Sequence, residues 1–123
     1  MTNILVIDED EESRSFVRTV LGGAGYAVYE ACDGHAAVAC CQVHAIDVVI
    51  TDILLPEPGS LETIRALRTR HHPAKIIAMA ARSHRALGHL LEMSLLVGAD
   101  RTVQKPLQPS TLLITVQTLL AGT

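Results

Sequence analysis

Short apolar runs alternate along the chain with longer stretches in which apolar residues recur every three or four positions. Asn3 to Ile7 is an apolar run that ends in acid and predicts a strand. From Glu11 to Leu21 the spacing turns helical, with Phe16, Val17, Val20 and Leu21 on one face. Gly22, Gly23 and Gly25 are expected to stop that helix. Tyr26 to Ala31 predicts a second strand, and Asp33 is placed to cap a helix from His35 to His44. Ile46 to Thr51 predicts a third strand that runs into Asp52. Pro56, Pro58 and Gly59 mark a loop, after which Ser60 is expected to cap a helix reaching Arg70. Pro73 precedes a fourth strand, Lys75 to Ala80. Ser83 is expected to open a helix that Gly98 closes after Val97. A short strand over Arg101 to Gln104 and a helix from Pro109 to Leu120 complete the series.

Strict alternation of strand and helix, with strands apolar almost throughout, predicts a parallel sheet covered by helices on both faces. The 123 residues are read as one domain. In such folds ligands bind beyond the carboxyl ends of the strands, at the topological switch point. Strand one ends in Asp8 and Glu9, strand three in Asp52, and strand five runs into Lys105 and Pro106. Carboxylates brought together on one edge repel, and a divalent cation relieves the repulsion. Oxygen-only ligands suit a hard ion such as Mg²⁺. An ion beside a lysine makes a positive cradle for a phosphoryl group, and a carboxylate within it can act as a nucleophile.

Composition narrows the alternatives. Ten basic against thirteen acidic side chains give a net charge of −3, which argues against a nucleic-acid surface. Phe16, Tyr26 and Tyr29 are the only aromatic residues, too few for a base-stacking platform. No apolar run approaches the roughly 18 residues of a membrane span. The N-terminus turns acidic by Asp8, unlike a secretory leader, and Cys32, Cys40 and Cys41 make a poor disulfide framework. A cytoplasmic location is expected.

Four segments together resemble the receiver domain of two-component response regulators: ILVIDED, DVVITDILLPEPGSLETI, KIIAMAARS and GADRTVQKPL. The resemblance spans essentially the whole chain. It implies a flavodoxin-like sheet of strand order 2-1-3-4-5, with Asp52 as the phosphoacceptor for a histidine kinase or a histidine phosphotransfer protein. It further implies Mg²⁺ held by Asp8, Glu9, Asp52 and the backbone carbonyl of Leu54, with Glu9 the more direct of the acidic pair. Lys105 matches the lysine that pairs with the phosphoryl group, and the bond before Pro106 is often cis in the family. Output would be a changed protein–protein surface, either in a stand-alone receiver or in part of a longer protein.

Three departures from the family pattern bear on signalling. Ala80 stands where the family usually carries Ser or Thr, and Thr102 where it often carries an aromatic residue. Gly59-Ser60 replaces the acid-glycine pair that commonly follows the loop proline. A lost hydrogen bond to a charged group costs about 1.5–3 kcal/mol, enough to slow phosphotransfer or shorten the active state. The competing reading is a degenerate receiver, an interaction module independent of phosphate. Enzymes of the same architecture fit poorly. The acidic DEDEES loop would repel a flavin phosphate, and neither Asp52 nor Asp8 carries the full pattern of an aspartate phosphatase.

Simpler roles explain other residues. Asp10, Glu11 and Glu12 suit a helix N-terminus. Cys40, Cys41 and His44 are not read as a metal site, the two cysteines being expected as buried or half-buried thiols, His71-His72 is read as a solvated loop, and His84 and His89 as having no role. Leu87, Leu90, Leu91 and Leu95 form one expected core stripe, and Leu112, Leu113, Val116, Leu119 and Leu120 another. Met93, Leu96, Val97 and Ile114 are left over. They mark the fourth helix, fifth strand and fifth helix as a candidate surface for a homodimer or an effector.

Overall fold

The computed structural model describes residues 1–71, 73–81 and 87–122. The elements run β1 (Asn3–Ile7), α1 (Glu11–Gly23), β2 (Ala27–Ala31), α2 (Gly34–Val43), β3 (Val48–Asp52), α3 (Ser60–His71), β4 (Lys75–Ala81), α4 (Leu87–Val97), β5 (Arg101–Lys105) and α5 (Pro109–Leu120). The five strands form one parallel sheet in the order β2-β1-β3-β4-β5, as the resemblance implied. Successive strand residues point to opposite faces, and both faces are buried. Leu5, Ile7, Val49 and Ile76 meet Ala37 and Cys41 of α2, Ile64 and Leu67 of α3, and Leu90 and Leu91 of α4. Ile4, Val6, Ile50, Met79 and Val103 meet Val17 and Leu21 of α1 and Leu112, Val116 and Leu119 of α5. Double-sided burial is the reason the central strands β1, β3 and β4 read as nearly unbroken apolar runs.

The chain leaves β1 for β2 on one side and returns to β3 on the other, so the switch point lies between β1 and β3. Ile7 is paired with Thr51, so Asp8 and Asp52 follow side by side at the carboxyl edge. Among the described residues no helix is long and apolar enough to cross a membrane.

Several boundaries differ from expectation. Helix α1 includes Gly22 and Gly23, and the stop comes at Gly25, whose φ is +97°. There the amides of Gly25 and Tyr26 donate to the carbonyls of Gly22 and Leu21, a closure that needs a left-handed residue. The strands β2 and β3 start one and two residues later than predicted, while β4 and β5 each run one residue further. Asp33 caps α2 through the amide of Ala36, as expected. Ser60 does not cap: it is the first residue of α3, and its hydroxyl donates to the Ile53 carbonyl at 2.5 Å, closing the β3–α3 loop. His71 ends α3 instead of lying in a loop. Ser83, His84 and His72 lie outside the described residues.

The stripe predicted for α4 also shifts. Leu95 is 48 % exposed, whereas Ser94 is fully buried and donates to the Leu91 carbonyl at 2.7 Å. Both residues sit four positions after a leucine. The smaller one is admitted to the core because its hydroxyl is satisfied within its own helix. On α5 the expected stripe is inside and Ile114 is 60 % exposed. Cys41 is buried and Cys40 half-buried, both with thiols pushed up by burial, that of Cys41 to about 11. His44 stacks on Tyr29.

Candidate functional site

The carboxyl edge of the sheet holds an open basin of about 510 Å³ lined by Asp8, Glu9, Asp10, Glu11, Asp52, Leu54 and Lys105. All the residues predicted to bind an ion or a phosphoryl group therefore share one surface. They come from the ends of β1, β3 and β5, which parallel pairing aligns.

Asp8 is the buried member, with a side chain 1 % exposed. One carboxylate oxygen accepts from Lys105 Nζ at 2.6 Å and the other from the Asp10 amide at 2.9 Å. Lys105 lies 3.6 Å from Asp52 Oδ1 and 3.4 Å from Ser13 Oγ. Asp52 is half-buried at the end of β3. Burial pushes its carboxyl above the ordinary value of 3.8, and the charge of Asp8 adds to the rise. The Lys105 ammonium and the Leu54 amide pull the other way without cancelling it. Glu9 and Leu54 are exposed on the rim.

Asp10 serves the helix rather than the basin. It is the N-cap of α1, accepting from the Glu12 amide at 3.3 Å and from Ser13 Oγ at 2.9 Å. The Ser13 bond is the main cause of its lowered pKa.

The donor set suits a hard dication. It is all oxygen, and Asp8, Glu9 and Asp52 outweigh the single charge of Lys105. In the arrangement described, however, no three carboxylates, histidines or cysteines among the described residues are grouped closely enough to hold an ion. Lys105 occupies Asp8 in that arrangement.

A model of the response regulator receiver domain matches residues 4–117. The chain belongs to that family. It is 30 % identical over 120 residues to the transcriptional regulatory protein CpxR of Klebsiella pneumoniae, a match covering 98 % of this chain and 50 % of that protein. It is 30 % identical over 117 residues to the regulatory protein VanRc of Enterococcus gallinarum, covering 95 % of this chain and 49 % of that protein. The chain thus spans about half the length of these curated relatives. Among solved structures it is similar to the Vibrio cholerae chemotaxis protein CheY4, with 30 % identity and a TM-score of 0.86 over 96 % of this chain and 98 % of the other.

Two of the three departures from the receiver pattern, Ala80 and Thr102, occupy definite places. Ala80 is 2 % exposed in β4 and pairs in register with Gln104 of β5. Thr102 is exposed on β5 and borders a groove of about 410 Å³ shared with Gln104, Thr111 and Thr115. The bond between Lys105 and Pro106 is cis, as the resemblance implied, and so is that between Glu57 and Pro58, which was not expected.

Sequence reasoning missed the supports of the site. Arg14 Nη1 donates to the Asp8 carbonyl at 2.6 Å, and Arg14 Nε to Glu30 Oε1 at 3.2 Å. The available signal was a carboxylate, Glu30, in an otherwise apolar strand. Such a residue has to point at a partner or at water.

Proposed function

We propose that this receiver domain, read over residues 1–123, accepts a phosphoryl group on Asp52 with Mg²⁺ bound by Asp8, Glu9, Asp52 and the Leu54 carbonyl. The observation that carries this reading is the position of Asp52 in the acidic basin, 3.6 Å from Lys105. One Asp52 oxygen attacks phosphorus in line while the phosphorus–nitrogen bond of a phosphohistidine donor breaks. The electron pair leaves with the imidazole, and an acyl phosphate results. Asp52 attacks as a carboxylate, so no base is needed, and the work of the site is positioning and charge neutralisation. Bound Mg²⁺ supplies that neutralisation for the phosphoryl oxygens. Lys105, moving from Asp8 toward Asp52, supplies the rest.

The donor is a histidine kinase or a histidine phosphotransfer protein, in the cytoplasm. The output surface is that of α4, β5 and α5, on which Leu95, Leu96, Thr102 and Ile114 are exposed. It serves a homodimer or an effector. A second reading, a degenerate receiver that docks without phosphate, draws its support from Ala80. A buried methyl group there offers no hydrogen bond to a phosphoryl oxygen.

Incubation with Mg²⁺ and acetyl phosphate, read by intact mass beside Asp52→Asn, separates the two. A gain of one phosphoryl group that needs Mg²⁺ and is lost in the variant is the expected result. No gain under any condition leaves the degenerate reading.

A further inference from the structure

Arg14 belongs to the first turns of α1, yet its guanidinium folds back over the loop that presents the acidic pair. Nη1 donates to the Asp8 carbonyl at 2.6 Å and to the Glu9 carbonyl at 3.3 Å. Nε donates to Glu30 Oε1 at 3.2 Å, and Arg18 Nη1 holds the other Glu30 oxygen at 2.5 Å. The Arg14 side chain is 17 % exposed, so it is enclosed by these partners rather than lying free on the helix. Helix α1, strand β2 and the β1–α1 loop are thereby joined through one planar group.

We infer that Arg14 is a positioning residue for the acidic pair, fixing the backbone from which Asp8 and Glu9 present their carboxylates, and that Glu30 aims it. The inference rests on the reading of the basin as a Mg²⁺-dependent phosphoacceptor site. Arg14 touches no reacting atom in that reading. It acts through the two backbone carbonyls of the loop, while Lys105 and the Asp10 amide hold the Asp8 carboxylate itself. The contact is specific to a planar fork with donors in two directions. A lysine ammonium keeps the charge but not that geometry.

Charge and positioning predict opposite effects. A cation beside an ion site opposes binding of a second cation, so removing it should tighten Mg²⁺ if charge alone mattered. If Arg14 positions the loop, removing it loosens Mg²⁺ despite the lost repulsion. Outer partners of metal ligands typically contribute about 10–100-fold in affinity.

The experiment titrates Mg²⁺ into the full chain and into R14Q, R14K and E30Q, following the amide resonances of Asp8 to Asp10. It also measures hydrogen exchange at the same amides without metal. The expected result is a Kd raised about tenfold or more in both R14Q and R14K, a smaller rise in E30Q, and faster exchange confined to the loop. Wild-type affinity in R14K, or equal or tighter binding in R14Q, overturns the inference. If the wild-type chain itself fails to bind Mg²⁺, the phosphoacceptor reading falls, and the metal-free exchange still decides whether Arg14 holds the loop.

Discussion

Lys105 Nζ stands 2.6 Å from Asp8 and 3.6 Å from Asp52, so the lysine expected at a phosphoryl group rests on a buried carboxylate instead. Asp8 is 1 % exposed and would be an unpaired charge without it. Lys105→Met is expected to destabilise the fold by about 3 kcal/mol, since breaking a buried pair strands the remaining charge. Urea denaturation measures the loss. Added Mg²⁺ should restore more stability to the variant than to the native chain, because it replaces the missing positive charge.

Asp52 gives a prediction of opposite sign. Its carboxyl is held above 3.8 in the fold, chiefly by burial, so between 3.8 and the folded value the native state binds more protons than the unfolded chain. Stability therefore falls as pH rises through that window and stays reduced above it. Asp52→Asn removes the charged form. Its melting temperature should exceed that of the native chain at pH 7, and the gap should close below 3.8. Thermal melts across pH test this, and a variant less stable than the native chain at pH 7 would refute it.

Ala80 is buried with space set by close packing, so serine rather than threonine is the substitution to make there. In the proposed mechanism the added hydroxyl reaches a phosphoryl oxygen. A hydrogen bond to a charged group is worth about 1.5–3 kcal/mol, or roughly tenfold or more in rate or lifetime. A mass-resolved time course of phosphorylation and decay should register that gain in Ala80→Ser. An unchanged time course would mean that the missing hydroxyl does not limit the site.

Arg68 supports the opposite edge of the sheet. Its Nε donates to the Gly98 carbonyl at 2.8 Å and its Nη2 to Asp100 at 2.6 Å, while Nη1 donates to the Ala74 carbonyl. Gly98 has a φ of +135°, and a Cβ there would lie 2.6 Å from Arg68 Cγ. Arg68→Ala is expected to cost about 3 kcal/mol by leaving several polar groups without partners, and Gly98→Ala to cost stability through both strain and the clash. Denaturation midpoints should move in both variants while the extent of Asp52 phosphorylation, measured well below the midpoint, does not.

Much of the fold was legible because its signals are local. Apolar runs named β1 to β4 to within a residue or two, the alternation with helices named the more polar β5, and the acids and lysine at the strand ends marked the candidate edge. Local signals failed where two residues competed for one position. Leu95 and Ser94 both fit the periodicity of α4, and hydrophobicity favoured the wrong one. They also failed for long polar side chains, since nothing near Arg14 or Arg68 in the sequence states which carbonyl each will reach.

The order of strands and helices and most of the apolar faces follow from the sequence by itself, since they depend on periodicity and residue type, and the same reading named the candidate site residues. Tertiary structure alone decided which charges meet. Lys105 and Asp8 are 97 positions apart, and their pairing at 2.6 Å exists because a parallel sheet brings its strand ends to one edge. Arg68 reaches 32 positions to Asp100 for the same reason at the other edge. Charge pairing acts over a few ångströms, so it is set by the distances that packing creates and not by separation along the chain.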